Sequence, residues 1–373
     1  MEIGAELEVT IEKVAHGGHF IARHEGQVIF VRDCAPGEKV LIEITGKAKG
    51  FLRAKLKKVI EPARMRVSPP CKYAGDCGGC DFQHIEISNQ RKLKADVIIE
   101  QFSRIAKLDI EVTVEEVAPT LHWRSHIRGA TNALGQFGIY ASRSNEVVPI
   151  EDCLIAHESL HVNQLAAKRY EPETRVEVPT GDQTKTVLGQ SLLVKAGAFW
   201  QRHINAPDTL AKVFLEFAEL KTGDHLLDLY GGVGLFTAVA IEKVGLPGRI
   251  DLIESGEAAV ESARENFKAH RNINIRLGSV EKELRKIKRA DVVVLDPPRA
   301  GIGAKVVQQV ISVAPRRVVY VACDPASLAR DVRTFIDGGW SLEKVKAFDL
   351  FPMTHQDRKS TRLNSSHLGI SYA

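Results

Sequence analysis

At 373 residues and 44% hydrophobic content, with no apolar run long enough to cross a membrane, the chain has material for a full α/β core and two smaller units. Its formal net charge of +4 permits a nucleic-acid partner without requiring one, so basic residues have to be read by location. Internal repeats and low-complexity tracts are absent, and the amino terminus does not look like a secretory signal; a cytoplasmic protein with reduced thiols is expected, with no membrane role and a monomeric state.

Residues 1–60 read as a separate β unit. Glu6–Val14 and Gln27–Val31 alternate or run apolar at strand length, and His16-Gly17-Gly18 and Pro36-Gly37 supply turns, so a small barrel is expected. Lys47, Lys49, Arg53, Lys55, Lys57 and Lys58 cluster along its last hairpin and strand. Such a run is either a solvated face or a surface that tracks phosphates.

Residues 61–189 open on the second strong signal. Cys71, Cys77 and Cys80 lie in a glycine-rich stretch with Cys-x5-Cys-x2-Cys spacing, and Cys153 follows far downstream. Three thiolates on a tight loop plus a distant fourth suit an iron–sulfur cluster or a zinc ion, and spacing leaves the two open. Cys34 reads as a turn residue without partners. A helical stretch is expected near Ser88–Ala106, and strands around Trp123–Asn132 and Val147–Ile150. The polar segment Glu171–Leu188, with Pro172, Pro179 and Gly181, reads as a loop into the last unit, residues 190–356.

That unit carries the chemistry. Leu226–Leu229 is a strand that runs into Tyr230-Gly-Gly-Val-Gly234, where glycine lets backbone close around a ligand; a lone Gly-x-Gly fits dinucleotides and methyl donors alike. Ile250–Glu254 ends another strand on a carboxylate suited to ribose hydroxyls. Val292–Arg299 and Val318–Ala326 are apolar β-branched runs that end in Asp296-Pro and Cys323-Asp-Pro. Proline after the polar residue stops the strand and pins φ, holding Asp296 and Cys323 on stiff strand tips that can face one pocket. A cysteine at a strand end is by itself most often a small buried residue. The flanking Asp-Pro and the cofactor turn favour chemistry.

With these blocks in this order, residues 190–355 resemble the catalytic domain of the RNA 5-methyluridine methyltransferases, which use S-adenosyl-L-methionine. The resemblance implies a Rossmann-like class I methyltransferase domain of α/β class, preceded by a small OB-type β-barrel of the TRAM kind and an α+β central domain. It matches Cys323 to the nucleophile and Asp296 to a cofactor-site acid, with Gln201, Tyr230, Leu235, Glu254 and Ser279 at cofactor contacts. Phe199-Trp-Gln201 resembles the family's Phe-Phe-Gln block, but His203 stands where the family continues to asparagine. Trp123-Arg124 and Arg128 resemble a basic block that faces RNA, the alternative being a buried tryptophan with surface arginines. A subset of the family carries a [4Fe-4S] cluster on the cysteine pattern seen at Cys71, Cys77, Cys80 and Cys153. The implied partner is RNA, ribosomal RNA before transfer RNA.

Carbon 5 of uracil is a poor nucleophile until a thiolate adds to carbon 6, which is why a cysteine is needed. Relatives follow the segment Phe348–His355 with a second His and Val-Glu, and that glutamate removes the carbon-5 hydrogen. Here the chain reads Gln356-Asp357 instead, and residues 357–373 resemble a translated sequencing adapter with no strand signal, so they are read as a non-native tail in place of a longer natural terminus. Asp357, the only carboxylate nearby, is not assigned the base role. Two alternatives follow: an RNA-binding protein without turnover, and a methyltransferase for a base nitrogen, which needs no thiol.

Overall fold

The computed structural model describes residues 2–142, 144–355 and 368–372. Strands β1 (Glu6–Ala15), β2 (His19–His24), β3 (Gln27–Val31), β4 (Lys39–Ala48) and β5 (Phe51–Glu61) close into a barrel of order β1-β2-β3-β5-β4. Alternate residues such as Val9, Ile11, Phe20, Ile29, Ile42 and Leu52 fill its interior, as a period-2 pattern dictates. Cys34 lies in the bend between β3 and β4, as expected, and is buried in this core. Its Sγ donates to the Arg32 carbonyl at 3.3 Å, and burial pushes the thiol far above its ordinary range.

Helix α1 (Ile87–Gln101), prolonged by one π turn over Phe102–Ala106, answers to the expected helical stretch. The short strand β6 (Val114–Glu116) follows. Next come β7 (Ile127–Thr131), β8 (Phe137–Tyr140), β9 (Val147–Pro149) and helix α2 (Val162–Ala167). Glu171–Leu188 is not the expected loop: it contains β10 (Arg175–Val178) and β11 (Gln183–Val187). β10 pairs with β7 at the edge of a four-stranded sheet, and β11 forms a hairpin with β12 (Gln190–Val194). Both are edge or two-stranded elements that leave much of their surface to water, so their composition stays polar.

The remaining elements alternate: α3 (Ala206–Ala218), β13 (His225–Leu229), α4 (Leu235–Val244), β14 (Arg249–Glu254), α5 (Glu257–Phe267), β15 (Ile273–Leu277), α6 (Val280–Leu284), β16 (Val292–Leu295), α7 (Gly303–Ser312), β17 (Arg317–Ala322), α8 (Pro325–Asp337), β18 (Leu342–Asp349) and β19 (Leu368–Tyr372). They build a sheet of order β15-β14-β13-β16-β17-β19-β18-β6 with β13 to β17 parallel. Val292–Leu295 is buried throughout, because helices cover both faces of a parallel sheet. Two features depart from expectation. β19 lies in the tail that was read as having no strand signal, and it enters between β17 and β18, antiparallel to both. β6, from the central part of the chain, adds to the sheet's edge beside β18.

Among the described residues no helix is long and apolar enough to cross a membrane.

Candidate active site

The strand order reverses at β13, with β14 and β15 on one side and β16 and β17 on the other, and the carboxyl ends flanking such a switch form a crevice. Leu229 is level with Leu295, so Tyr230 and Asp296 leave neighbouring strands side by side. Leu295 is level with Tyr320, which puts Cys323 two residues beyond Asp296 on the next tip.

The turn after β13 is shaped by close approach. Tyr230 takes φ +61 and Gly234 takes φ +97, where a Cβ would stand 2.2 Å from the Phe267 ring. Gly232, at φ +56, faces open space. Its N–H donates to Glu254 Oε2 at 3.1 Å, while Glu254 Oε1 accepts from the N–H groups of Ser255 and Gly256 at 2.6 and 2.7 Å. The carboxylate of β14 is thereby fixed against the glycine turn.

Asp228 accepts from Thr237 N and Oγ1 at 3.0 and 2.7 Å at the start of α4, and its other oxygen has no hydrogen-bond partner among the described residues. Gln201, buried, donates to Asp296 Oδ2 at 3.3 Å. Burial pushes Asp296 up to about 7, reinforced by the nearby Asp228 and Glu254 charges, and burial pushes Asp228 up to about 6. Three carboxyl groups gathered at these tips, with Glu254 raising both aspartates, fit a ligand bearing positive charge and hydroxyl donors. S-adenosylmethionine, with a sulfonium, an ammonium and a ribose diol, has that character.

Burial pushes the half-buried Tyr230 phenol up to about 12. Leu235 points into the core under α4, and Ser279 stands exposed at the start of α6, two residues beyond Glu254 by the β14–β15 register. Cys323 is buried at the end of β17. The loop after Asp296 is anchored by buried Asp331, which accepts from Ile302 N, Gly303 N and Tyr320 Oη at 2.8, 3.1 and 2.8 Å.

Beside these tips opens a cavity of about 960 Å³ bounded by the barrel turn, the central segment and the catalytic loops. Arg32, Arg124, Arg128, Arg175, Arg202 and Arg299 line it, as do His16, Asp324 and His355. Trp123 is buried and stacks on the buried His203 at 5.7 Å, so both alternatives for this block hold in part: a core tryptophan, with arginines facing the cavity. His203 accepts from Asn205 N at 3.1 Å and is a packing residue. Sequence reasoning missed Arg32, Arg202 and His16, which lie in unpatterned turns, and Arg175, which opens the polar edge strand β10. The barrel lysines are less available than expected, since Lys55 and Lys57 pair with Glu43 at 2.8 and 3.1 Å.

Cys71, Cys77, Cys80 and Cys153 all line the same cavity. Burial pushes the Cys77 thiol up to about 11 and raises Cys80 and Cys153, each further raised by neighbouring thiols. Among the described residues no three His, Cys, Asp or Glu side chains converge to hold a single ion. The expected ligands thus share one cavity wall without forming a coordination shell.

Residues 1–57 match the family model "TRAM domain", and residues 194–363 match "tRNA (Uracil-5-)-methyltransferase". An RNA methyltransferase of Streptomyces avermitilis is 39% identical over 95% of this chain and 96% of that protein. One of Bdellovibrio bacteriovorus is 32% identical over 94% and 93%. The crystal structure of Pyrococcus abyssi tRNA (uracil-54, C5)-methyltransferase with S-adenosyl-L-homocysteine has the same fold, at TM-score 0.73 and 19% identity over 98% of this chain and all of that one.

Proposed function

The chain belongs to the S-adenosylmethionine-dependent RNA uracil-5-methyltransferases, and from that premise we propose that it methylates carbon 5 of a uridine in RNA through a covalent bond to Cys323. The observation that carries this reading is the placing of Cys323 and Asp296 on adjacent strand tips beside an arginine-lined cavity large enough for a flipped nucleotide. Arginines on that wall neutralise phosphates, and unstacking the base costs about a few kcal/mol in a duplex and less in a loop.

Cys323 Sγ, as thiolate, bonds to carbon 6, and the carbon 5–carbon 6 π pair becomes an enolate with its nucleophilic end at carbon 5. Bound S-adenosylmethionine would supply the electrophilic methyl group, its sulfur–methyl bond breaking to a neutral thioether as carbon 5 takes the methyl. Removal of the carbon-5 hydrogen by a base then expels the thiolate. Gln201, Glu254 and Asp296 would hold the cofactor. The position that relatives fill with the basic glutamate lies outside the described residues.

Ribosomal RNA is the preferred substrate class, by the resemblance of barrel and cysteine pattern; transfer RNA is the second reading, supported by the name of the matching family model. Mapping 5-methyluridine in RNA from a deletion strain separates them. For the protein itself, RNA carrying 5-fluorouridine should trap a denaturation-resistant complex with the parent chain and none with Cys323→Ala. Methylation that survives Cys323→Ala would favour a base-nitrogen target instead.

By the resemblance of the cysteine pattern, Cys71, Cys77, Cys80 and Cys153, which line one cavity, would hold a [4Fe-4S] cluster. Its role would be structural, tying the loop at Cys71–Cys80 to Cys153. Anaerobically purified protein should be brown and Cys80→Ser colourless; stoichiometric zinc without iron would refute the assignment.

A further inference from the structure

The turn between β1 and β2 reaches away from the barrel to the catalytic strand tips. His16 Nε2 stands 2.7 Å from Asp324 Oδ2, across 308 residues of sequence. Asp324 directly follows Cys323 and caps α8, its Oδ1 accepting from Ser327 N at 2.8 Å. The carboxylate is thus divided: one oxygen takes the helix amide and the other takes the imidazole.

The turn itself is clamped. Arg32 donates to the Gly17 carbonyl at 3.2 Å, and Gly18, at φ +69, lies so close to His355 that a Cβ there would stand 2.3 Å from the ring. His355 is held in turn by Asp81, whose Oδ1 accepts from His355 N at 2.8 Å. An RNA-binding barrel tethered only by its linker would need none of this.

Resting on Cys323 as nucleophile, we propose that His16 is a positioning residue for that thiol. By holding Asp324 it fixes the Cys323–Asp324 peptide and the start of α8, and so the angle at which Sγ meets carbon 6. The seat of the barrel on the catalytic unit then becomes a condition of adduct formation, beyond any grip the barrel has on RNA.

The test measures the single-turnover rate of adduct formation with 5-fluorouridine RNA, a readout that needs no base, alongside RNA and S-adenosylmethionine affinities, all in the full chain. His16→Phe should slow the adduct about 10- to 100-fold, as a misplacement near 1 Å does, with both affinities within about twofold of the parent. His16→Gln keeps an N–H donor of similar reach and should recover most of the rate, and Asp324→Asn added to His16→Phe should slow it no further. An unchanged rate in His16→Phe, or a loss wholly explained by weaker RNA binding, overturns the proposal and leaves the nucleophile assignment standing. An adduct that persists in Cys323→Ala overturns both. If His16→Phe does not fold, the comparison of His16→Gln with His16→Ala decides, and equal rates refute the role.

Discussion

Asp296 shows how much a single residue's surroundings decide. Burial and two carboxyl neighbours push it up to about 7, so near neutral pH it is partly protonated and poorly suited to face a cation. A positively charged ligand favours the ionised form, so S-adenosylmethionine should bind more tightly as pH rises through about 7, releasing a fraction of a proton. Titration calorimetry in buffers of different ionisation enthalpy measures that release. Asp296→Asn should weaken binding by about tenfold, as loss of one charged contact does, and flatten its pH dependence. The sign for stability is opposite. A carboxyl raised in the folded state contributes stability that is full below its unfolded value and lost as pH rises through its folded one. The gain in melting temperature of Asp296→Asn over the parent should therefore be larger at pH 8 than at pH 5. Asp296 and Cys323 were legible because each ends an apolar run before proline. His16 and Arg202 were not, because a residue that acts by reaching across the fold leaves no local pattern.

Helix α1 and strand β18 meet through Lys94 and Asp349, buried and 2.6 Å apart, with the Phe351 carbonyl accepting from the same ammonium at 3.0 Å. Breaking a buried pair from one side leaves a charge without compensation, typically worth about 3–5 kcal/mol, whereas replacing both members with apolar side chains is often neutral. Lys94→Met should lose stability of that order in urea, and Lys94→Met with Asp349→Leu should regain most of it; additive losses would show that the two do not act as a pair. At this scale the parallel strands were readable because burial on both faces writes a continuous apolar run into them. β10 and β11 were misread because edge strands keep polar alternation among prolines and glycines. The three residues of β6 are too few to show any period.

Across the whole molecule, the cavity exists only when three stretches of chain are assembled, so its arginines could be counted in the sequence but not gathered from it. The tail bears on the same assembly. An enzyme with Cys323 but without the relatives' glutamate should add to uridine, transfer the methyl group and release product slowly. A His-Val-Glu continuation grafted after His355 should raise multiple turnover by about 10²-fold or more, the usual worth of a placed base. Equal rates would mean that another residue serves as base. The ties from the first third of the chain to its far end, Lys94 to Asp349, Gln90 to Met353 and Asp81 to His355, span 255, 263 and 274 residues. At a synthesis rate of roughly 5–20 residues per second, α1 emerges from the ribosome about a quarter of a minute to a minute before its partners exist. During that interval the lysine that will be buried has no carboxylate to meet, and the apolar face beside it is open to other nascent chains. The contacts that dock α1 on the catalytic unit are therefore late to form, and the growing polypeptide must be protected from aggregation until the segment that bears their partners arrives.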